Sequence, residues 1–201
     1  MLLKIRRYVP YSIKRLVSRC FIKAKFKHTD VNSTNFFQLW DVLTNKIFIG
    51  EYTYIGRNWY FFCKDNRISI WKYCSIAENV YMITYNHSMK YISSHINQYN
   101  KKIKLNHTYK QWDILIWNDV RIWHNCIVLP WVTIWNGAII WAWSVVTKDV
   151  PAYAVVWWNP ARIIKYRFSK KSIEFIENLK WQNRTIEDIK KNENLFNKKF
   201  E

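Results

Sequence analysis

Five histidines, at positions 28, 87, 95, 107 and 124, are the side chains of this sequence best suited to move a proton near neutral pH. Each is a candidate general base, and spacing alone does not choose among them. His87 stands in N-H-S at 86–88 and His95 in S-S-H at 93–95, both within one polar stretch. The cysteines, Cys20, Cys63, Cys74 and Cys126, have no C-x-x-C spacing. Neither a metal site nor a disulfide framework is therefore expected, and a reducing, cytoplasmic setting fits. Thirty-two Lys and Arg against fourteen Asp and Glu give a formal charge of +18. That excess suits phosphorylated ligands or other polyanions. The basic residues gather at the two ends and no nucleic-acid module accompanies them, so nucleic acid is not expected as a partner.

The elements that must position such groups are announced by a six-residue period. Aliphatic residues recur at Ile116, Ile122, Val128, Ile134, Ile140 and Val146. Four residues after each comes Val120, Cys126, Val132, Ala138, Ser144 and Val150, all small or β-branched. Neither a helical nor an alternating period explains this spacing. A shorter run with the same step is Ile70, Ile76 and Met82. Hexapeptide repeats mark a parallel β-helix, three to a triangular coil, with the aliphatic residue inward and the small residue fitted between neighbouring walls. The fold class expected is an all-β solenoid.

Residues 31–167 are read as this β-helix, interrupted by an extruded loop at 84–112 that is rich in His, Tyr, Asn and Lys. Loops on rigid scaffolds are where function concentrates. Residues 1–30 form a basic arm: the first 27 carry nine Lys or Arg and no acid. The arm has neither the apolar region of a signal peptide nor the length of a membrane span. Its amphipathic pattern suits either packing on the body or peripheral contact with anionic lipid. Residues 168–201 are read as helical, on the spacing of Ile173, Ile176, Leu179, Ile186 and Ile189, and as a cap on the solenoid's end.

The sequence has thirteen Trp and only three Gly, namely Gly50, Gly56 and Gly137. Eight of the Trp lie between residues 117 and 158. The residue after each coil aliphatic occupies a tight corner, where a small residue is expected, yet Trp117, Trp123, Trp135 and Trp141 stand there. UGA is one base from the glycine codon GGA. A gene whose host reads UGA as glycine, translated as though UGA meant tryptophan, gives this pattern. The suspect positions are Trp71, Trp112, Trp117, Trp123, Trp131, Trp135, Trp141, Trp143, Trp157 and Trp158; Trp59 is assigned to neither group, and Trp40 and Trp181 read as authentic. If the assigned phase is right, Trp117 and Trp135 stack at one corner of successive coils, and Trp123 and Trp141 at another.

With these motifs in view, K-Y-C-S-I-A-E-N-V at 72–80, N-H-S-M-K-Y-I-S-S-H at 86–95 and the run from Asp113 to Phe168, the chain resembles the xenobiotic acetyltransferase branch of the hexapeptide-repeat acyltransferases. That branch covers chloramphenicol and streptogramin acetyltransferases and O-acetyltransferases of surface-polysaccharide biosynthesis. The resemblance implies a left-handed coil, a homotrimer, and acetyl-CoA as co-substrate in a groove between two subunits. It matches His87 to the catalytic base and His95 to an acceptor-pocket position. It also matches Ala142 to the pantetheine arm, Thr147 and Lys148 to the phosphate region, and Arg162 and Lys165 to the adenosine phosphates. Fixed cations suit those phosphates, and backbone N–H groups near 141–144 are candidates to polarise the thioester oxygen. Two departures stand out. Arg121 and His124 occupy positions where many relatives carry Trp and a small residue, and indoles at 141 and 143 would crowd the groove.

The acceptor favoured is a sugar hydroxyl of a surface glycan or its precursor, because the basic arm and the approach I-F-I-G-E-Y-T-Y-I-G-R-N at 47–58 look more like the polysaccharide branch. An antibiotic O-acetyltransferase is the alternative within the class. A non-catalytic β-helix scaffold is the alternative outside it.

Overall fold

The computed structural model describes residues 30–31, 46–63, 66–86 and 110–200. After a two-residue strand β1 (Asp30–Val31), the chain makes a first coil of β2 (Ile47–Ile49), β3 (Tyr54–Ile55) and β4 (Tyr60–Phe62). A second coil comprises β5 (Ile68–Ile70), β6 (Ser75–Ile76) and β7 (Tyr81–Ile83). An antiparallel pair, β8 (Tyr85–Asn86) with β9 (Lys110–Gln111), follows. The third coil is β10 (Ile114–Ile116), β11 (Arg121–Ile122) and β12 (Ile127–Val128). The fourth is β13 (Thr133–Ile134), β14 (Ile139–Ile140) and β15 (Val145–Val146). Then β16 (Ala154–Trp157) joins the stack, and β17 (Arg162–Tyr166) returns antiparallel against it.

Each coil visits the same three sheets in the same order. One sheet runs β13-β10-β5-β2, a second β15-β12-β7-β4, and the third β1-β3-β6-β11-β14-β16-β17. Registers follow the hexapeptide phase: Ile70 pairs with Ile116 and Ile116 with Ile134, Ile76 with Ile122 and Ile122 with Ile140, Met82 with Val128 and Val128 with Val146. Both inward columns, the aliphatic and the small one, are buried from end to end. A three-sided coil leaves room inside for little else, so burial of these residues supplies most of the driving force for stacking. The sixfold step also reaches back through Ile49, Ile55 and Phe61, all buried, which makes residues 47–62 a coil of the same stack.

Because β10 pairs directly with β5, everything between Thr84 and Trp112 is inserted between two adjacent coils. The insertion leaves and returns at one point, where Trp112 N–H donates to the Thr84 carbonyl at 3.0 Å.

The C-terminal segment holds α1 (Lys170–Leu179), a 3-10 turn (Trp181–Asn183), α2 (Ile186–Lys191) and α3 (Glu193–Phe196). Ser169 caps α1 by accepting from Ser172 N–H. Its placement differs from an end cap. Glu177 accepts from Tyr153 Oη at 2.9 Å and from Asn136 Nδ2 at 3.2 Å, while Trp181 meets Tyr73 two coils below. The contacts run down one corner of the stack instead of closing its end. The physical reason is a column of polar groups at that corner. Asn136 Oδ1 accepts from Asn118 N–H, Asn118 Oδ1 accepts from Lys72 N–H, and Arg167 pairs with Asp119 at 2.9 Å. Asn118 is satisfied within the stack, whereas Asn136 Nδ2 takes its described acceptor, Glu177, from the segment.

Candidate functional site

Ala142 lies in the turn between β14 and β15, half-buried; Thr147 and Lys148 follow β15 directly. Arg162 and Lys165 stand exposed on β17. Two backbone bonds bring these groups to one end of the stack. Val145 N–H donates to the Trp158 carbonyl at 3.1 Å, and Ala161 N–H donates to the Val145 carbonyl at 2.9 Å. The N-P-A turn therefore lies against β15, with Arg162 one residue beyond it. Arg162 Nη1 donates to the carbonyls of Ala161, at 3.0 Å, and Pro160. Lys165 is held by the strand register opposite Val155.

The polarising role considered for backbone N–H groups near 141–144 is narrowed by the coil bonding. Trp141 N–H already donates to the Val156 carbonyl and Trp143 N–H to that of His124, at 3.0 and 3.1 Å. Those two groups are spent on stacking.

His87 and His95 lie outside the described residues, as do residues 1–29 of the basic arm; Asp30 and Val31 already pair with β3. The described structure reaches Asn86, the residue before His87, and holds it in β8 opposite Lys110. Under β8 and β9 sits a group that sequence reasoning missed. Asn66 Nδ2 donates to the carbonyls of Thr84, at 2.9 Å, and Trp112, while Asn66 Oδ1 meets Thr84 Oγ1 at 2.9 Å. Arg67 N–H donates to Asp113 Oδ1 at 2.8 Å beside it. One amide thus ties the departure and return of the insertion together. No short-range signal marks it, because its partners are 18 and 46 residues away.

His124 is exposed at a coil corner, and Arg121 is exposed on β11. Cys74 and Cys126 occupy the small inward column, and burial pushes their thiols up to about 12 and about 11. Neither is a thiolate at neutral pH, so neither serves as a nucleophile there. Among the described residues, no helix is long and apolar enough to cross a membrane.

Stacked hexapeptide coils, interrupted by one insertion rooted beside the last β7 residue, define a hexapeptide-repeat protein. No family model matches the sequence. Over 132 residues, 62% of this chain and 73% of the relative, it is 40% identical to a probable macrolide acetyltransferase of Lysinibacillus sphaericus. It is 42% identical over 81 residues to a chloramphenicol acetyltransferase of Klebsiella aerogenes, a match that spans 39% of that enzyme. The chain belongs to the xenobiotic acetyltransferase branch of the hexapeptide-repeat acyltransferases. Solved structures share the fold. A hexapeptide-repeat acetyltransferase of Vibrio cholerae, in complex with acetyl coenzyme A, superposes with a TM-score of 0.54 at 23% identity, covering 82% of this chain and 81% of that one. A galactoside acetyltransferase in complex with coenzyme A gives 0.54 at 24%, covering 78% and 82%.

Proposed function

We propose that the protein moves an acetyl group from acetyl-CoA to a hydroxyl of a sugar in a surface glycan or its precursor. The observation that carries acetyl transfer is the kinship with an acetyltransferase across 132 residues at 40% identity; the sugar acceptor rests on the basic arm and the approach at 47–58. It is supported by a stack whose last coil and N-P-A turn gather Ala142, Thr147 and Lys148 beside Arg162. In this reading the coil is left-handed, residues 31–167 are the catalytic domain, and the active form is a homotrimer with each groove shared by two subunits. The cytoplasmic setting and the basic arm's contact with anionic membrane belong to the same proposal.

His87 is the general base. An alcohol is a weak nucleophile, so His87 takes the hydroxyl proton as the oxygen attacks the thioester carbonyl. The carbon–sulfur bond then breaks, and the coenzyme A sulfur leaves with the proton that the imidazolium returns. Donor and acceptor bound together make direct transfer efficient without an acyl-enzyme. Lys148, Arg162 and Lys165 supply positive charge for the phosphates, Ala142 leaves space for the pantetheine arm beside Thr147, and His95 contacts the acceptor.

A second reading, O-acetylation of an antibiotic such as chloramphenicol or streptogramin A, is favoured by what the curated relatives are called. An acetyl-transfer assay with glycan precursors and both antibiotics decides between the two. His87→Ala is expected to lower turnover by at least about 10²-fold while leaving acetyl-CoA affinity nearly intact. Turnover within about tenfold of the parent removes His87 from the role.

A further inference from the structure

We infer that the tryptophans at 131, 143 and 158 are glycines in the protein as its own cell makes it, and that the stacked corner tryptophans belong to the same set. The coil has one slot, three residues after the inward aliphatic of most hexapeptides, where the backbone turns with positive φ. Apart from tryptophan and tyrosine, its described occupants are Asn58, Asn79, Asp119, Asn125 and Gly137. These are the residue types that enter the left-handed region most readily. Into the same slot the sequence puts Trp131 at φ 64° and Trp143 at φ 65°. Trp158, at φ 92°, lies further still from what a side chain bearing a Cβ accepts.

Tyrosine in this slot shows what an aromatic needs there. Tyr52, Tyr73 and Tyr153 also have positive φ, but all three stand in one column along the corner that the C-terminal segment follows. Tyr52 stacks on Tyr73, Tyr73 meets Trp181, and Tyr153 packs on Phe168 and donates to Glu177. Contacts offset the strain. Trp143 is 72% exposed with no ring contact among the described residues, and Trp158, 62% exposed, meets only Trp157 there, itself a suspect. Trp131, also exposed, makes one ring contact among the described residues, an edge contact with Trp112, itself a suspect.

The corner columns agree. Trp71, Trp117 and Trp135 share theirs with Gly50, where a Cβ would meet the next coil's backbone at 2.6 Å. Their rings stack at 5.4 Å because the repeat places them one above another. Trp123 and Trp141 stack likewise at 5.8 Å. The middle indole, Trp117, buries its N–H with no acceptor among the described residues, as Trp59 also does, an arrangement native cores rarely keep. Trp181 contrasts with all of these: it lies between Tyr73 and Phe196, at 4.9 and 5.8 Å, as a packed tryptophan does. By these surroundings Trp131, Trp143, Trp158 and the two corner columns stand apart from Trp181, while Trp59, buried against Phe61 at 4.7 Å, falls in neither group.

The test reads the gene and the protein from its natural source. The expected result is UGA at 131, 143 and 158, UGG at 181, and peptide masses with glycine at the UGA positions. UGG at those three codons, or tryptophan in the peptides, overturns the inference. Recombinant variants give a second readout. Trp143→Ala removes the indole but keeps the Cβ, so Trp143→Gly is expected to melt about 2–4 °C above it, and Trp131→Gly above Trp131→Ala likewise. Trp181→Gly is expected to melt below the parent. If alanine matches or exceeds glycine at both 131 and 143, these positions do not require glycine and the inference fails.

Discussion

Cys74 shows how the inward column governs chemistry one residue at a time. Its thiol donates to the Trp117 carbonyl at 2.9 Å and is almost wholly buried, so ionisation there would place a charge in an apolar coil. The folded thiol is pushed up to about 12 from an ordinary 9.0. A raised folded value means that the stabilisation is complete below pH 9 and is lost as pH rises toward 12. Cys74→Ser keeps a small donor in the column, where Ser144 already occupies an equivalent slot, and removes the titration. The fall in melting temperature above pH 9 should therefore be shallower in the serine variant than in the parent. Parallel slopes would show that Cys74 does not ionise on unfolding.

Asn66 belongs to the scale of elements, since it joins the strand pair β8–β9 to the coil beneath. It donates to the carbonyls on both sides of the insertion, and His87 follows directly on β8. Asn66→Asp keeps the shape but turns two donated bonds into repulsion between a carboxylate and two carbonyls. Turnover is expected to fall by about tenfold or more, with KM for acetyl-CoA unchanged within about twofold. A fall in melting temperature with kcat unaltered would make Asn66 a purely structural tie. The coils themselves were legible because their code is local: Ile116 to Val146 repeats every six residues and each repeat forms the same half-buried strand. Asn66 was not, because its meaning comes from coils that approach only after the chain has wound. The C-terminal helices were readable from Ile173, Ile176 and Leu179, yet their course down a corner depends on Asn136, Tyr153 and Tyr73, partners that helical spacing does not reveal.

At the scale of the whole molecule, the outer faces carry more apolar surface than a lone chain in water should show. With every suspect tryptophan set aside, Phe48, Phe62, Ile163, Ile164 and Tyr166 remain exposed. Three of them, Ile163, Ile164 and Tyr166, lie on β17, the outermost strand of the seven-stranded sheet, whose outer edge pairs with no strand among the described residues and is a ready surface for association. Scattered exposed residues are ordinary, but an isoleucine pair on an edge strand is a surface that the proposed homotrimer would cover. Closed symmetry, two-fold or three-fold, satisfies all copies of such a surface at once, whereas an open contact would propagate into filaments; three is the number that the proposed function adds. Light scattering at working concentration is thus expected to return three times the chain mass. Specific activity should fall as dilution drives the trimer apart, because the proposed groove draws on two subunits. A monomer with full specific activity would place the whole site within one chain and remove the need for the assembly.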